Sequence, residues 1–318
     1  MSAIWKERPE LGNRIALRMI IGLAFGLGRT IARAALYPSA LYFLLRRGAE
    51  RRASLQFLSR VKARPASLSD VYRHILSFSQ ATLDRLYLVT ERFRRFDIRC
   101  SGLADLDRAL DGGRGMLLVG AHLGSFEALR VLSLERPDVP IRILLDLEQG
   151  PAVSRTLNAL NPAMAATILD VRSAGPTAAI SIKQALDRNA IVAMLADRAL
   201  PGQDMQPVQF FGCPARLPTA PWLLAAALKV PVILAFGLYR GGNRYDLHFE
   251  TFSEAITLDR NQRAAALSQI LQRFADRLAH YAQLAPDNWF NFYDFWHDPT
   301  SGDASGASRG AGNLLRRA

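Results

Sequence analysis

His122 and Glu127 stand five residues apart in the segment Gly120-Ala121-His122-Leu123-Gly124-Ser125-Phe126-Glu127. An imidazole is the side chain best matched to taking a proton from a hydroxyl at neutral pH while that oxygen attacks a carbonyl. A carboxylate one helical turn further on can accept the ring N–H, fix the tautomer and raise the basicity of the other nitrogen. Alone, such a pair is a weak signal, because the spacing is common and a single histidine often serves structure. Its placement strengthens it. The apolar run 115–121 reads as a buried strand, and a Gly-Ser step leads from His122 into a helix beginning near Glu127. In open α/β sheets, sites form outside the carboxyl ends of the strands.

The nucleophile is then constrained. A serine hydrolase on such a sheet would carry a G-x-S-x-G elbow, and Gly124-Ser125-Phe126 lacks that flanking pattern. Cys100 and Cys213 are two isolated thiols without a C-x-x-C partner or a His-rich companion, which argues against a zinc site or a disulfide framework. They suit a reducing compartment as small core residues. Direct attack by a bound substrate, with His122 as base, therefore fits better than a covalent enzyme intermediate. The stretch Gly112-Gly113-Arg114-Gly115 is too short for a phosphate loop and precedes its strand, so it reads as a tight turn. No cofactor and no metal are expected.

What must position these groups is an α/β sheet. Buried strands are predicted at 115–121, 141–145, 166–170 and 191–195, with helices at 126–135, 153–160 and 177–188 between them. That alternation predicts parallel βαβ units. A helix over 218–228, a strand over 230–238, a turn at Gly241-Gly242-Asn243 and alternating Tyr245, Leu247 and Phe249 follow, reading as an antiparallel pair at the sheet edge. Leu267, Ile270, Leu271, Phe274, Leu278 and Tyr281 mark a closing helix. Upstream, an amphipathic helix is predicted over 69–93 with Ser69 as its cap.

The first sixty residues differ. Apolar runs at 15–28 and 34–45 are interrupted or flanked by Arg18, Arg29 and Arg33 and are each too short to span a bilayer. Between 29 and 64 the chain carries nine Lys or Arg against the single acid Glu50. Such helices read as lying in an anionic leaflet, and an ordinary buried helical hairpin is the alternative. The 318 residues hold 40 Lys plus Arg against 28 Asp plus Glu, a formal charge of +12. An excess of that size points to an anionic partner. Nucleic acid is disfavoured, since the basic residues crowd around apolar helices instead of interleaving with aromatics on one face. The expected organisation is a membrane-associated helical segment (1–64), an α/β domain (65–299) with a mixed, mostly parallel sheet flanked by helices, and a disordered tail (300–318) rich in Ser, Gly and Ala.

His122-x4-Glu127 after an apolar strand resembles the H-x4-D/E motif of the lysophospholipid acyltransferase superfamily. Ala196-Asp197-Arg198, then Pro207-Val208-Gln209-Phe210-Phe211-Gly212, then Thr219, resembles a block of the bacterial lipid A lauroyl/myristoyl acyltransferases. Lys229-Val230-Pro231-Val232, Arg240 and Pro286-Asp287-Asn288-Trp289 extend the likeness, which covers residues 5–296. The resemblance implies an acyltransferase on the cytoplasmic face of an inner membrane, with acyl-carrier protein or acyl-CoA as donor and a membrane lipid as acceptor. It implies His122 as base and Glu127 as its orienting partner. It also implies a substrate site lined by Asp197, Arg198, Phe211 and Gly212, with Arg198 facing a phosphate or a developing oxyanion.

Two departures weigh against a doubly phosphorylated sugar acceptor. Phe290-Asn291-Phe292-Tyr293-Asp294-Phe295-Trp296 is aromatic and carries an acid where lipid A enzymes place basic residues, and Arg198 stands where Gln is common. The chain looks more like a divergent branch, acting on a glycolipid, an amino-acid lipid or an aryl polyene head group. A non-catalytic membrane module that binds lipid or carrier protein is the competing class.

Overall fold

The computed structural model describes residues 22, 24–145, 161, 166–170, 175–200 and 202–296. Helices α1 (Arg29–Arg46), α2 (Gly48–Val61) and α3 (Leu68–Val89) come first, followed by β1 (Asp97–Ser101), α4 (Leu103–Asp111) and β2 (Met116–Gly120). A 3-10 segment, Phe126–Val131, runs into the short α5 (Leu132–Glu135). Then come β3 (Ile141–Leu145), β4 (Ile168–Asp170), α6 (Gly175–Asp187), β5 (Ile191–Leu195) and the pair β6 (Met205–Phe210) and β7 (Cys213–Pro218). The chain continues with α7 (Ala220–Leu228), β8 (Val232–Tyr239), β9 (Arg244–Ser253) and α8 (Arg263–Leu284).

Seven strands form one sheet in the order β1-β9-β8-β2-β5-β3-β4. The sheet is mixed and mostly parallel, as expected: β8, β2, β5, β3 and β4 run together, and β9 returns antiparallel to β8. Every residue of β2 is buried. Leu117 and Val119 enter one apolar cluster and Met116 and Leu118 the other, which is what a strand covered on both faces requires.

Several expectations need correction. The cap of α3 is Ser67, not Ser69: Ser67 Oγ accepts from Asp70 N, and the Asp70 carboxylate accepts from Ser67 N, a reciprocal box. The β8–β9 pair is not the sheet edge, because β1 adds in parallel outside β9. Polar Asp97, Arg99 and Ser101 in alternation hid that strand. Residues 126–131 wind as 3-10 helix, pinned at their start by Ser125 N to Gly237 O and by Ser125 Oγ accepting from Ala128 N. The helix expected at 153–160, the tail from 300 and most of the run 15–28 lie outside the described residues.

The run 34–45 falls within α1. Among the described residues no helix is long and apolar enough to cross a membrane. One stripe of α1 (Ala32, Leu36, Ala40, Leu44) is buried, with Ala40 and Leu44 in the same cluster as the sheet strands. The opposite stripe is also apolar: Ile31, Ala34, Ala35, Pro38, Leu41, Tyr42 and Leu45 are all exposed. The basic stretch is less free than its sequence suggests. Arg29 pairs in bidentate fashion with buried Asp84, Lys62 and Arg64 pair with buried Asp70, and Arg60 lies over the Trp296 ring.

Asp84 ties the N-terminal helices to the sheet. Its side chain is fully buried, meets Arg29 and Arg33 of α1, and accepts from Tyr245 Oη at 3.0 Å. Removing one partner of a buried ion pair leaves uncompensated charge, at a cost of about 3–5 kcal/mol. Asp84→Ala is therefore expected to lower the thermal midpoint sharply, measured by circular dichroism. An unchanged midpoint would show that α1 is not anchored through this carboxylate.

Candidate active site

The site begins with strand register. β2 and β5 are parallel neighbours, with Met116 opposite Ile191 and Gly120 opposite Leu195. Ala196 N donates to Gly120 O at 2.9 Å, carrying the ladder past the strand ends. Two residues beyond each strand the same register sets His122 level with Asp197. The contact follows: His122 Nδ1 lies 2.8 Å from Asp197 Oδ1, and the His122 backbone N–H donates to both carboxylate oxygens at 3.1 Å. Asp197 is 1% exposed and the His122 ring 32%, so the carboxylate is interior while the ring keeps an open side.

Glycine lets the loop sit close to the sheet. Gly124 has φ +75°, and a Cβ there would come within 1.9 Å of Gly237 O. Any side chain would push the His122 loop off β8. From the other side the segment Asn288–Phe290 closes over it. Gly124 N donates to Asn288 O at 2.8 Å, Phe290 N donates to His122 O at 2.9 Å, and Leu123 bridges Trp289. The Asn288 side chain accepts from Tyr239 N and donates to Tyr239 O, imitating a strand partner for β8. Trp289 Nε1 donates to Asp197 Oδ2 at 3.1 Å.

These contacts set the charges. Burial lowers the His122 pKa and the nearby Arg198 and Arg85 lower it further, while Asp197 opposes them. Burial alone would raise the Asp197 carboxyl, but His122, Arg198 and the Trp289 indole hold it well below the usual carboxylate range. Asp197 is thus an anion and His122 a neutral base with its Nδ1 engaged.

Glu127 has a different partner from the one its spacing suggested. Its carboxylate forms an ion pair with Arg85 of α3, and Ser125 Oγ lies 3.5 Å from Oε2. Among the described hydrogen bonds His122 has none with Glu127; the acid that meets its ring is Asp197. Arg198 joins the site through Nη2, which donates to Phe290 O at 2.8 Å, and its guanidinium lies over the Tyr293 ring. Its Nε is buried without a hydrogen-bond partner in the described structure. Phe211 and Gly212 form the β6–β7 turn, both at positive φ. Phe211 packs on Phe57 and Phe210, whose rings in turn contact Trp289, so the pair borders the aromatic wall behind Asp197. Arg85, Trp289 as a ligand of Asp197, and His74 behind it escaped the sequence; only Trp289 carried a signal, in its Pro-led motif.

The bacterial lipid A biosynthesis acyltransferase family matches residues 82–297, which takes in β2, β5 and the closing segment. The chain belongs to that family. Comparison with curated proteins found no match. Membership makes it an acyltransferase of lipid biosynthesis, with a lipid-type acceptor and an acyl donor in general terms. In this acyltransferase the His122 ring and the Asp197 carboxylate meet at the carboxyl ends of β2 and β5.

Proposed function

We propose that the protein transfers a fatty acyl group from a thioester, on acyl-carrier protein or CoA, to a hydroxyl of a membrane lipid or glycolipid, with His122 as general base. The His122–Asp197 pair carries the reading. Asp197 holds the Nδ1–H, which leaves the Nε2 lone pair to take the acceptor proton. The acceptor oxygen then bonds to the thioester carbonyl carbon, the C–S bond breaks, and the proton passes from Nε2 to the leaving thiolate. The part-exposed Arg198 guanidinium, beside Asp197 and His122, supplies positive charge for the developing oxyanion or a donor phosphate. Glu127 neutralises Arg85, which would otherwise depress His122 further.

Ser125 is an unsuitable nucleophile, being buried with its hydroxyl already accepting from Ala128 N. Incubation with labelled lauroyl-CoA or lauroyl-carrier protein alone is therefore expected to leave no acyl chain on the polypeptide. Addition of a bacterial lipid extract should yield a labelled ester. A stable adduct on Ser125, Cys100 or Cys213, read by mass spectrometry, would replace this mechanism with a double displacement.

The outward apolar stripe of α1 supports contact with a bilayer surface, which we place at the cytoplasmic face of the inner membrane. Burying a Leu or Ile side chain contributes about 1.5–3 kcal/mol, against about 1 kcal/mol for a basic residue near an anionic leaflet. With several of the nearby cations engaged inside the protein, apolar insertion should dominate. The triple variant Ile31→Ser, Leu41→Ser, Leu45→Ser is expected to abolish flotation with phosphatidylglycerol vesicles while keeping the thermal midpoint. High salt should fail to strip the unaltered protein. Clean release by salt would reassign the binding to charge.

A further inference from the structure

His74 sits in the middle of α3, fully buried, and takes no part in the proton transfer above. Its Nε2 lies 2.9 Å from Trp289 O and its Nδ1 2.7 Å from Ser54 Oγ. A carbonyl can only accept, so Nε2 carries the proton; Nδ1 is then bare and accepts from the Ser54 hydroxyl. Burial pushes the ring down to about 4, so it stays neutral in that single tautomer at physiological pH. Its faces are fixed as well, by stacking on Phe292 at 4.6 Å and by Phe57.

We propose that His74 is a positioning residue for the His122–Asp197 pair, acting through Trp289. The linkage is continuous. Ser54 on α2 donates to His74 Nδ1, His74 on α3 holds the Trp289 carbonyl, and the Trp289 indole N–H fixes Asp197 Oδ2, whose other oxygen meets His122. Phe57, Phe210 and Phe295 pack edge-on around the indole, so its angle follows its backbone. Any buried imidazole needs its nitrogens satisfied; what gives this one a role is that the carbonyl it holds belongs to the residue whose indole N–H meets Asp197.

The proposal rests on His122 serving as base, and its test reads His122 directly. The charged groups facing His122 are Asp197, Arg198 and Arg85; those near His74 are Lys62 and Asp287. Losing the Trp289 N–H concentrates charge on the remaining Asp197 contacts, which favours the imidazolium. Titration of full-length protein labelled at histidine Cε1, followed by NMR, should therefore show the His122 midpoint rising in Trp289→Phe. His74→Phe should move it in the same direction, and the double variant no further. His74→Gln restores a donor to Trp289 O and should return the midpoint towards that of the unaltered protein. Turnover of lauroyl-CoA should fall roughly ten- to hundredfold in His74→Phe with its KM unchanged, the cost of a misplaced base. Ser54→Ala removes the donor to Nδ1 and loosens the ring while Nε2 keeps its bond to Trp289 O, and should give a smaller shift of the same sign even if His74→Phe fails to fold. A midpoint that stays put in His74→Phe and Ser54→Ala, or shifts that add to that of Trp289→Phe, overturns the proposal. His122→Ala separates the two claims: normal turnover there overturns the base assignment itself, whereas an inactive His122→Ala beside an unmoved midpoint overturns only the role of His74.

Discussion

His122→Ala is expected to lower acyl transfer by about 10²–10⁴-fold, the usual contribution of a single general base. The variant should fold normally. The backbone N–H of residue 122, not its ring, makes two of the bonds to Asp197, and the loop is held by the main-chain bonds to Asn288 and Phe290. In the unaltered enzyme the rate should rise as His122 loses its proton. Because the surroundings lower that pKa, the acid limb of the kcat/KM profile should lie below the ordinary histidine value of about 6.5. Turnover of purified His122→Ala on labelled lauroyl-CoA with lipid acceptor, measured across pH, checks both points. Near-normal turnover, or an acid limb above that value, removes His122 from the mechanism.

The second large effect separates the two acids. Asp197→Asn keeps the shape but loses the charge that stabilises an imidazolium, and the amide can donate to Nδ1 and so select the wrong tautomer. A loss comparable to that of His122→Ala is expected, with little further loss in the double variant because the two act as a unit. Glu127→Gln should be milder. It leaves Arg85 uncompensated near the ring, lowering His122 further and shifting the acid limb to lower pH as the base weakens. Equal damage from both substitutions, with no shift in the limb for Glu127→Gln, would restore the orienting role that the local spacing suggests for Glu127.

That contrast shows where a sequence is legible and where it stops. The strands beside the site could be read because they are short runs of aliphatic residues bounded by turn formers, and 141–145 and 191–195 agree with the observed β3 and β5 to the residue. His122 at a strand end was visible for the same reason. Its partner was not, since neighbours in a sheet are set by topology: β5 lies beside β2 although β3 and β4 intervene in the chain. Proximity along the chain favoured Glu127, but the positive φ of Gly124 and the 3-10 winding after Ser125 redirect that side chain to an arginine arriving from α3. Asp197 was marked only as part of a block resembling the lipid A enzymes. The double-sided apolar character of α1 was legible as composition, whereas which stripe faces the core needed the packing of Ala32, Leu36, Ala40 and Leu44.

The closure of Asn288–Phe290 over the His122 loop also sets the order in which the candidate site is assembled. Chains leave the ribosome from the N-terminus, so β2 and its histidine emerge long before the indole that holds Asp197. During that interval the histidine loop lacks its bonds to Asn288 and Phe290, and the Asp197 carboxylate lacks one of its donors. The candidate site is thus completed only when the C-terminal segment arrives, and a chain halted before Asn288 holds His122 and Asp197 without the frame that closes on them.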